Sequence, residues 1–144
     1  MRNAPRHLRV VTGPHRSSRR DWPFTRFGRS VGYAWEGLCF VTRTQANWRL
    51  HLVAAIVVWI AAVSLQVSSL ELAILALTVG AVLALEAMNT AVEAMVDAVG
   101  ESPSMQGKRA KDAAAGAVLV AAATSVVVGV SIFLPRIGML LNAR

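Results

Sequence analysis

From Leu72 to Leu85 the chain carries no charged side chain, and without a helix breaker the same run then delivers Glu86, Asn89, Glu93 and Asp97. At about 100° per residue, the three carboxylates fall within roughly 40° of one another and Asn89 about 60° from Glu86, so the four form one polar stripe. A run of this length and apolarity reads as a membrane-spanning helix. A carboxylate near the bilayer centre costs roughly 2.5–3.5 kcal/mol there. Such a stripe is therefore read as a functional site for something cationic, a metal ion above all.

Composition agrees with a membrane setting: of 144 residues, 55% are hydrophobic and only 16% charged, far from an average soluble domain. The length suits one domain. The net charge of +7 invites a nucleic-acid reading until the basic residues are located. Ten of the 15 lie between Arg2 and Arg49, before the first long apolar run, and Lys108, Arg109 and Lys111 share one later segment. They mark a membrane face, and nucleic acid is not expected as a partner. Cys39 is the only cysteine, which excludes an intrachain disulfide and a thiolate metal cluster. Residues 1–23 lack the apolar core of a secretory leader and are expected to be a mobile, basic, cytosolic arm drawn to anionic lipid.

The remainder, residues 24–144, reads as an all-α integral membrane domain. Phe27, Val31, Trp35, Leu38 and Thr42 recur at the spacing of one helix face, with Tyr33, Trp35 and Trp48 as interfacial anchors. This predicts an amphipathic surface helix over about 26–44. Three spans are predicted at about 50–70, 71–99 and 112–134, the last ended by Pro135. The link Gln66–Glu71 has no Lys or Arg, so the positive-inside rule places it outside and the amino terminus in the cytosol. Glu86 then lies about 21 Å from Leu72 along the helix, near the inner edge of the hydrocarbon, and Asp97 about 16 Å further, among cytosolic headgroups. Three helices offer few neighbours for a polar stripe, so oligomerisation is expected.

Carboxylates at the cytosolic edge beside Lys108, Arg109 and Lys111 form an inventory suited to a magnesium nucleotide. Mg²⁺ takes one or two carboxylates plus phosphates and waters, and lysine neutralises phosphate as a point charge. Phosphoryl transfer needs mainly positioning and charge neutralisation, and Glu86 sits where a lipid hydroxyl can reach it. Plainer readings stand beside this: Asp97 and Lys111 as solvated helix-end charges, Glu86 as a protonated structural carboxyl, His51 as an interfacial histidine. A rival class is a small cation or proton pathway using Glu86 and Glu93, which leaves the basic segment beside the stripe unexplained.

The series Glu86-x-x-Asn89-Thr90-Ala91-x-Glu93-x-x-x-Asp97, followed by Ala110-Lys111-Asp112, strongly resembles the prokaryotic diacylglycerol kinase family, which includes the undecaprenol kinases. Phe24-Thr25-Arg26 and Gly32-Tyr33-Ala34-Trp35-Glu36-Gly37 also resemble the family's surface helix, and the likeness runs from about Phe24 to Pro135. It implies a homotrimer in the inner membrane, with active sites shared between subunits, that transfers the γ-phosphoryl group of ATP to a lipid alcohol with Mg²⁺. On matching positions Glu86 is the general base and Asn89 its polar neighbour, while Glu93 is a metal ligand. Asp97, Lys111 and Asp112 hold the nucleotide, with Arg26 and Tyr33 joining from the surface helix. Trp48, Arg49 and His51 fall on the lipid side, where Asn47-x-Arg49-x-His51 resembles the undecaprenol-kinase branch and the surface-helix motifs resemble the diacylglycerol-kinase branch. The family's usual metal-binding glutamate is replaced here by Gln45, which keeps a carbonyl oxygen and loses the charge. That departure implies weaker magnesium binding, or a noncatalytic scaffold derived from a kinase.

Overall fold

The structure is a computed structural model that describes residues 22–99 and 104–142. The basic arm expected over residues 1–23 lies, but for Trp22 and the backbone of Pro23, outside them. The described chain is helical throughout: α1 (Pro23–Thr44), α2 (Ala46–Ser64), α3 (Ser69–Val99) and α4 (Met105–Asn142). It divides into two units, the first ending at Ala34 and the second running from Trp35. In the first, the hydroxyl of Thr25 donates to the Trp22 carbonyl at 2.7 Å and that of Ser30 to the Arg26 carbonyl at 3.1 Å. Phe24, Phe27 and Val31, spaced along one face, stand exposed.

The second unit holds α2, α3 and α4, each long and apolar enough to cross a membrane. At 31 residues, α3 is about 46 Å long and exceeds a hydrocarbon core of roughly 30 Å, so its end can reach water. Outward side chains such as Val63, Leu77 and Leu119 are exposed and apolar, as suits a lipid solvent.

Seven-residue steps organise the interior. On α2 the buried positions are Trp48, Ala55 and Ala62; on α3 they include Leu75, Val82 and Asn89; on α4 Val118 and Ile132 are buried, with half-buried Ser125 midway. Ala62, Leu75 and Ile132 meet in one core cluster. One step toward the amino end of α2, Ala55, Val82 and Ser125 all line one cavity. A further step in the same antiparallel register brings Trp48, Asn89 and Val118 to one level, all buried.

The α2–α3 link is tightly built. Gln66 has φ 50°, its N–H bonds the Val63 carbonyl and that of Val67 bonds the Ala62 carbonyl, the two closures of a Schellman motif. A non-glycine residue in this left-handed region costs about 1 kcal/mol. Ser68 and Glu71 then form a reciprocal capping box: the Ser68 N–H donates to Glu71 Oε2 at 2.7 Å and the Glu71 N–H to Ser68 Oγ at 3.4 Å. The same carboxylate accepts two bonds of 2.6 Å from the Arg136 guanidinium, clasping α3 to α4 at the end remote from the polar stripe.

The expected stop at Pro135 does not occur, since α4 continues through it to Asn142. Proline removes a single backbone donor, and neighbouring groups in membrane helices can compensate. Arg136 also donates from its side chain to the Ile132 carbonyl at 3.3 Å. Glu71→Gln is expected to lower the thermal midpoint in detergent, because it weakens the charge-assisted bonds to Arg136. Arg136→Gln should cost less, because it leaves the capping box intact. In the double variant the losses should be less than additive; strict additivity would show the clasp to be energetically idle.

Candidate functional site

The stripe occupies the last turns of α3. Glu86 is 2% exposed, and its backbone carbonyl accepts a 3.1 Å bond from the Thr90 hydroxyl. One turn on, Asn89 is 8% exposed and donates through Nδ2 to Glu93 Oε1 at 3.2 Å, while its own Oδ1 is buried with no partner. Further along, exposed Asp97 receives a 2.5 Å bond from Lys111 Nζ across to α4. Burial thus falls steadily from Glu86 to Asp97, from protein interior to water.

The start of α4 makes this pairing possible. Ser104 Oγ accepts the Gly107 N–H at 2.9 Å, the bond expected of an N-terminal cap. A Cβ on Gly107 would come within 2.8 Å of Val96 Cγ1, so glycine permits the close approach of α4 to the end of α3 that lets Lys111 reach Asp97. Asp112 lies on the neighbouring face, paired at 3.3 Å with Lys108, both well exposed.

On the α2 side, Gln45 sits in an extended conformation between α1 and α2 and makes no side-chain capping bond. Arg49 reaches back to the carbonyls of Thr42 and Arg43 at 3.3 and 3.2 Å, serving the carboxyl end of α1 as cations do. Trp48 is buried, and its indole Nε1 has no partner. His51 lines an apolar cavity of about 460 Å³ bounded by α2, α3 and α4. That cavity is the feature sequence reading missed. In the register of Ala55 with Val82, His51 stands level with Glu86, so the cavity runs into the membrane from the level of the buried acid.

The site residues expected from sequence therefore divide. The structure joins Asn89 with Glu93 and Asp97 with Lys111, and sets Glu86 on the same face. It engages Arg49 with α1 and Asp112 with Lys108. Arg26 and Tyr33 lie in the first unit, both exposed. Among the described residues no group of three or more His, Cys, Asp or Glu side chains gathers to hold a metal, so Glu93 and Gln45 do not belong to a preformed acidic cage.

Residues 32–133 match the family described as prokaryotic diacylglycerol kinase. The chain is similar to a diacylglycerol kinase of Synechocystis, 45% identical over 107 residues, covering 74% of this chain and 61% of that protein's length. It resembles an undecaprenol kinase of Bacillus subtilis, 39% identical over 112 residues, covering 78% and 91%. It is also similar to a diacylglycerol kinase of Escherichia coli, 34% identical over 104 residues, covering 72% and 85%. Every candidate site residue but Arg26 lies inside the matched stretch, and the chain belongs to the prokaryotic diacylglycerol kinase family.

Proposed function

We propose that this protein is a membrane lipid kinase that transfers the γ-phosphoryl group of ATP to the hydroxyl of a lipid alcohol at the cytosolic edge of the inner membrane. The observation that carries the reading is a buried acid, Glu86, which shares a helix face with the exposed Asp97–Lys111 pair and stands, in the register of Ala55 with Val82, level with the His51 end of an apolar cavity. A lipid tail fills the cavity while its hydroxyl stands beside Glu86, and the triphosphate lies at that pair. Diacylglycerol and undecaprenol both suit an apolar cavity, and both lipids name relatives of this chain.

In the reaction a hydroxyl oxygen bonds to the γ-phosphorus, the bond to the bridging oxygen of ADP breaks, and the hydroxyl proton passes to the Glu86 carboxylate. Asn89 orients the acceptor, and Lys111, released from Asp97, neutralises phosphate charge. Asp97 and Asp112 position that lysine segment, and the family likeness supports a nucleotide-binding role for Arg26 and Tyr33. Trp48, Arg49 and His51 serve the lipid side. The donor set is one of oxygens: Glu93 has one amide bond, and the Gln45 side chain makes no capping bond. This fits Mg²⁺ held by Glu93 and Gln45, with the phosphates supplying most of its ligands. When bound, the ion would neutralise the triphosphate.

The exposed apolar face of α1 supports a surface helix in the headgroup region, and the basic residues support a cytosolic amino terminus. The family likeness supports a homotrimer with shared sites. The test is purified protein in vesicles with labelled ATP and either diacylglycerol or undecaprenol. Labelled lipid is the expected product, and the better acceptor identifies the substrate. Cation flux without labelled lipid would favour the pathway reading, and nucleotide binding without product the scaffold.

A further inference from the structure

Trp48 and Asn89 carry the two unpartnered polar atoms in one buried layer, a donor at indole Nε1 and an acceptor at amide Oδ1. Both side chains are more than nine-tenths buried. Ala62 and Leu75 belong to one core cluster, and two steps of seven from each in the antiparallel register carry Trp48 and Asn89 to the same level, one turn on the cytosolic side of Glu86. An orphaned buried donor or acceptor typically costs about 1–3 kcal/mol, so finding one of each at one level calls for a ligand that satisfies both. Resting on the lipid-kinase reading, we infer that the Trp48 indole N–H is a specificity-determining contact for the acceptor alcohol: it donates to the hydroxyl oxygen whose own proton is given to Asn89 Oδ1.

The stoichiometry of a hydroxyl fits this pair. It has one proton and two lone pairs. At docking the proton goes to Asn89, and one lone pair accepts the indole N–H. The second lone pair stays free to attack phosphorus. As the oxygen–phosphorus bond forms and ADP leaves, the hydroxyl swings its proton from Asn89 Oδ1 to the Glu86 carboxylate one turn away, which accepts it. The chain behind the hydroxyl then enters the cavity that begins at the level of His51 and extends on α2 to Ala61, about 15 Å deeper. A methyl ether offers no proton to Asn89, and a lipid with no oxygen at this level leaves both polar atoms unpaired. The layer therefore selects for a free alcohol at the head of an apolar chain, whichever chain follows.

The test compares steady-state kinetics of the full-length wild type with Trp48→Phe, which keeps an aromatic ring and removes the donor. Loss of one neutral hydrogen bond should raise the KM for the lipid alcohol about 3- to 10-fold, with the KM for ATP unchanged. The thermal midpoint of the lipid-free protein should stay level or rise, because an unsatisfied donor has been removed. Trp48→3-benzothienylalanine, which replaces N–H with sulfur in the same bicyclic shape, should give the same lipid shift, and it decides the matter should Trp48→Phe fold poorly. A lipid KM unchanged in the sulfur analogue, or a shift in the KM for ATP instead, overturns the inference while leaving the kinase intact. Wild-type protein that phosphorylates neither lipid takes down both readings.

Discussion

Replacing Glu86 with glutamine should lower turnover by about 100- to 10,000-fold, the range general-base catalysis supplies, with the protein still folded. The substitution preserves size and hydrogen-bonding reach and removes only the capacity to accept a full proton. Because Glu86 is 2% exposed, its carboxylate is held where a charge is expensive, and the neutral amide is cheaper to bury. The thermal midpoint should therefore be unchanged or higher. Activity and stability moving in opposite directions is the signature of a residue kept for chemistry. A structural carboxyl predicts the reverse, with turnover retained and stability reduced. The loose transition state of phosphoryl transfer leaves the proton on the hydroxyl until late, which favours the lower half of the range. Binding of labelled ATP should survive, since the nucleotide shelf at Asp97 and Lys111 lies about three turns away along α3.

Residues along the chain differ in how far sequence alone revealed their roles. The three spans were legible because apolar length is a sufficient signal in a membrane protein, and the stripe because 3.6-residue periodicity aligns Glu86, Glu93 and Asp97. Opposite charges were expected to converge at the membrane edge where Asp97 and Lys111 lie, but their direct ion pair was not read from the sequence. Hydropathy does not separate a lipid-facing residue from a core-facing one, however, so the seven-residue seam through Ala55, Ala62 and Val82 was hidden among equally apolar neighbours. The cavity along that seam was hidden with it. Glu71 and Arg136 are 65 positions apart, and only the antiparallel packing of α3 against α4 brings them together. Proline is read locally as a helix stop, whereas α4 runs through Pro135 to Asn142. Arg49 shows the same limit, since a cation at a membrane edge suits a lipid headgroup as well as the last carbonyls of α1.

The second large effect belongs to Glu93, and Gln45 makes it informative. Glu93→Gln is expected to reduce turnover at least 100-fold and to abolish Mn²⁺ binding measured by electron paramagnetic resonance with a non-hydrolysable ATP analogue. Glu93 is the only carboxylate expected from the sequence to ligate the metal; Gln45 contributes a neutral carbonyl. Gln45→Glu should do the opposite. One added charge near a cation contributes about 1 kcal/mol in water and about 4 kcal/mol at an effective dielectric of 20; taking the lower part of that span, metal affinity should rise about 10-fold. The fold should tolerate this change. Gln45 stands at the amino end of α2 without a side-chain capping bond, and a carboxylate there complements the helix dipole. Turnover of Gln45→Glu should saturate at lower Mg²⁺ with little change in its maximum, because the added charge tightens binding of an ion the wild type already uses. If the variant binds Mn²⁺ no more tightly than wild type, Gln45 faces away from the metal and Glu93 acts with another donor. If wild type is inactive at every magnesium concentration and Gln45→Glu restores transfer, the natural protein is a silenced kinase whose missing charge is the cause.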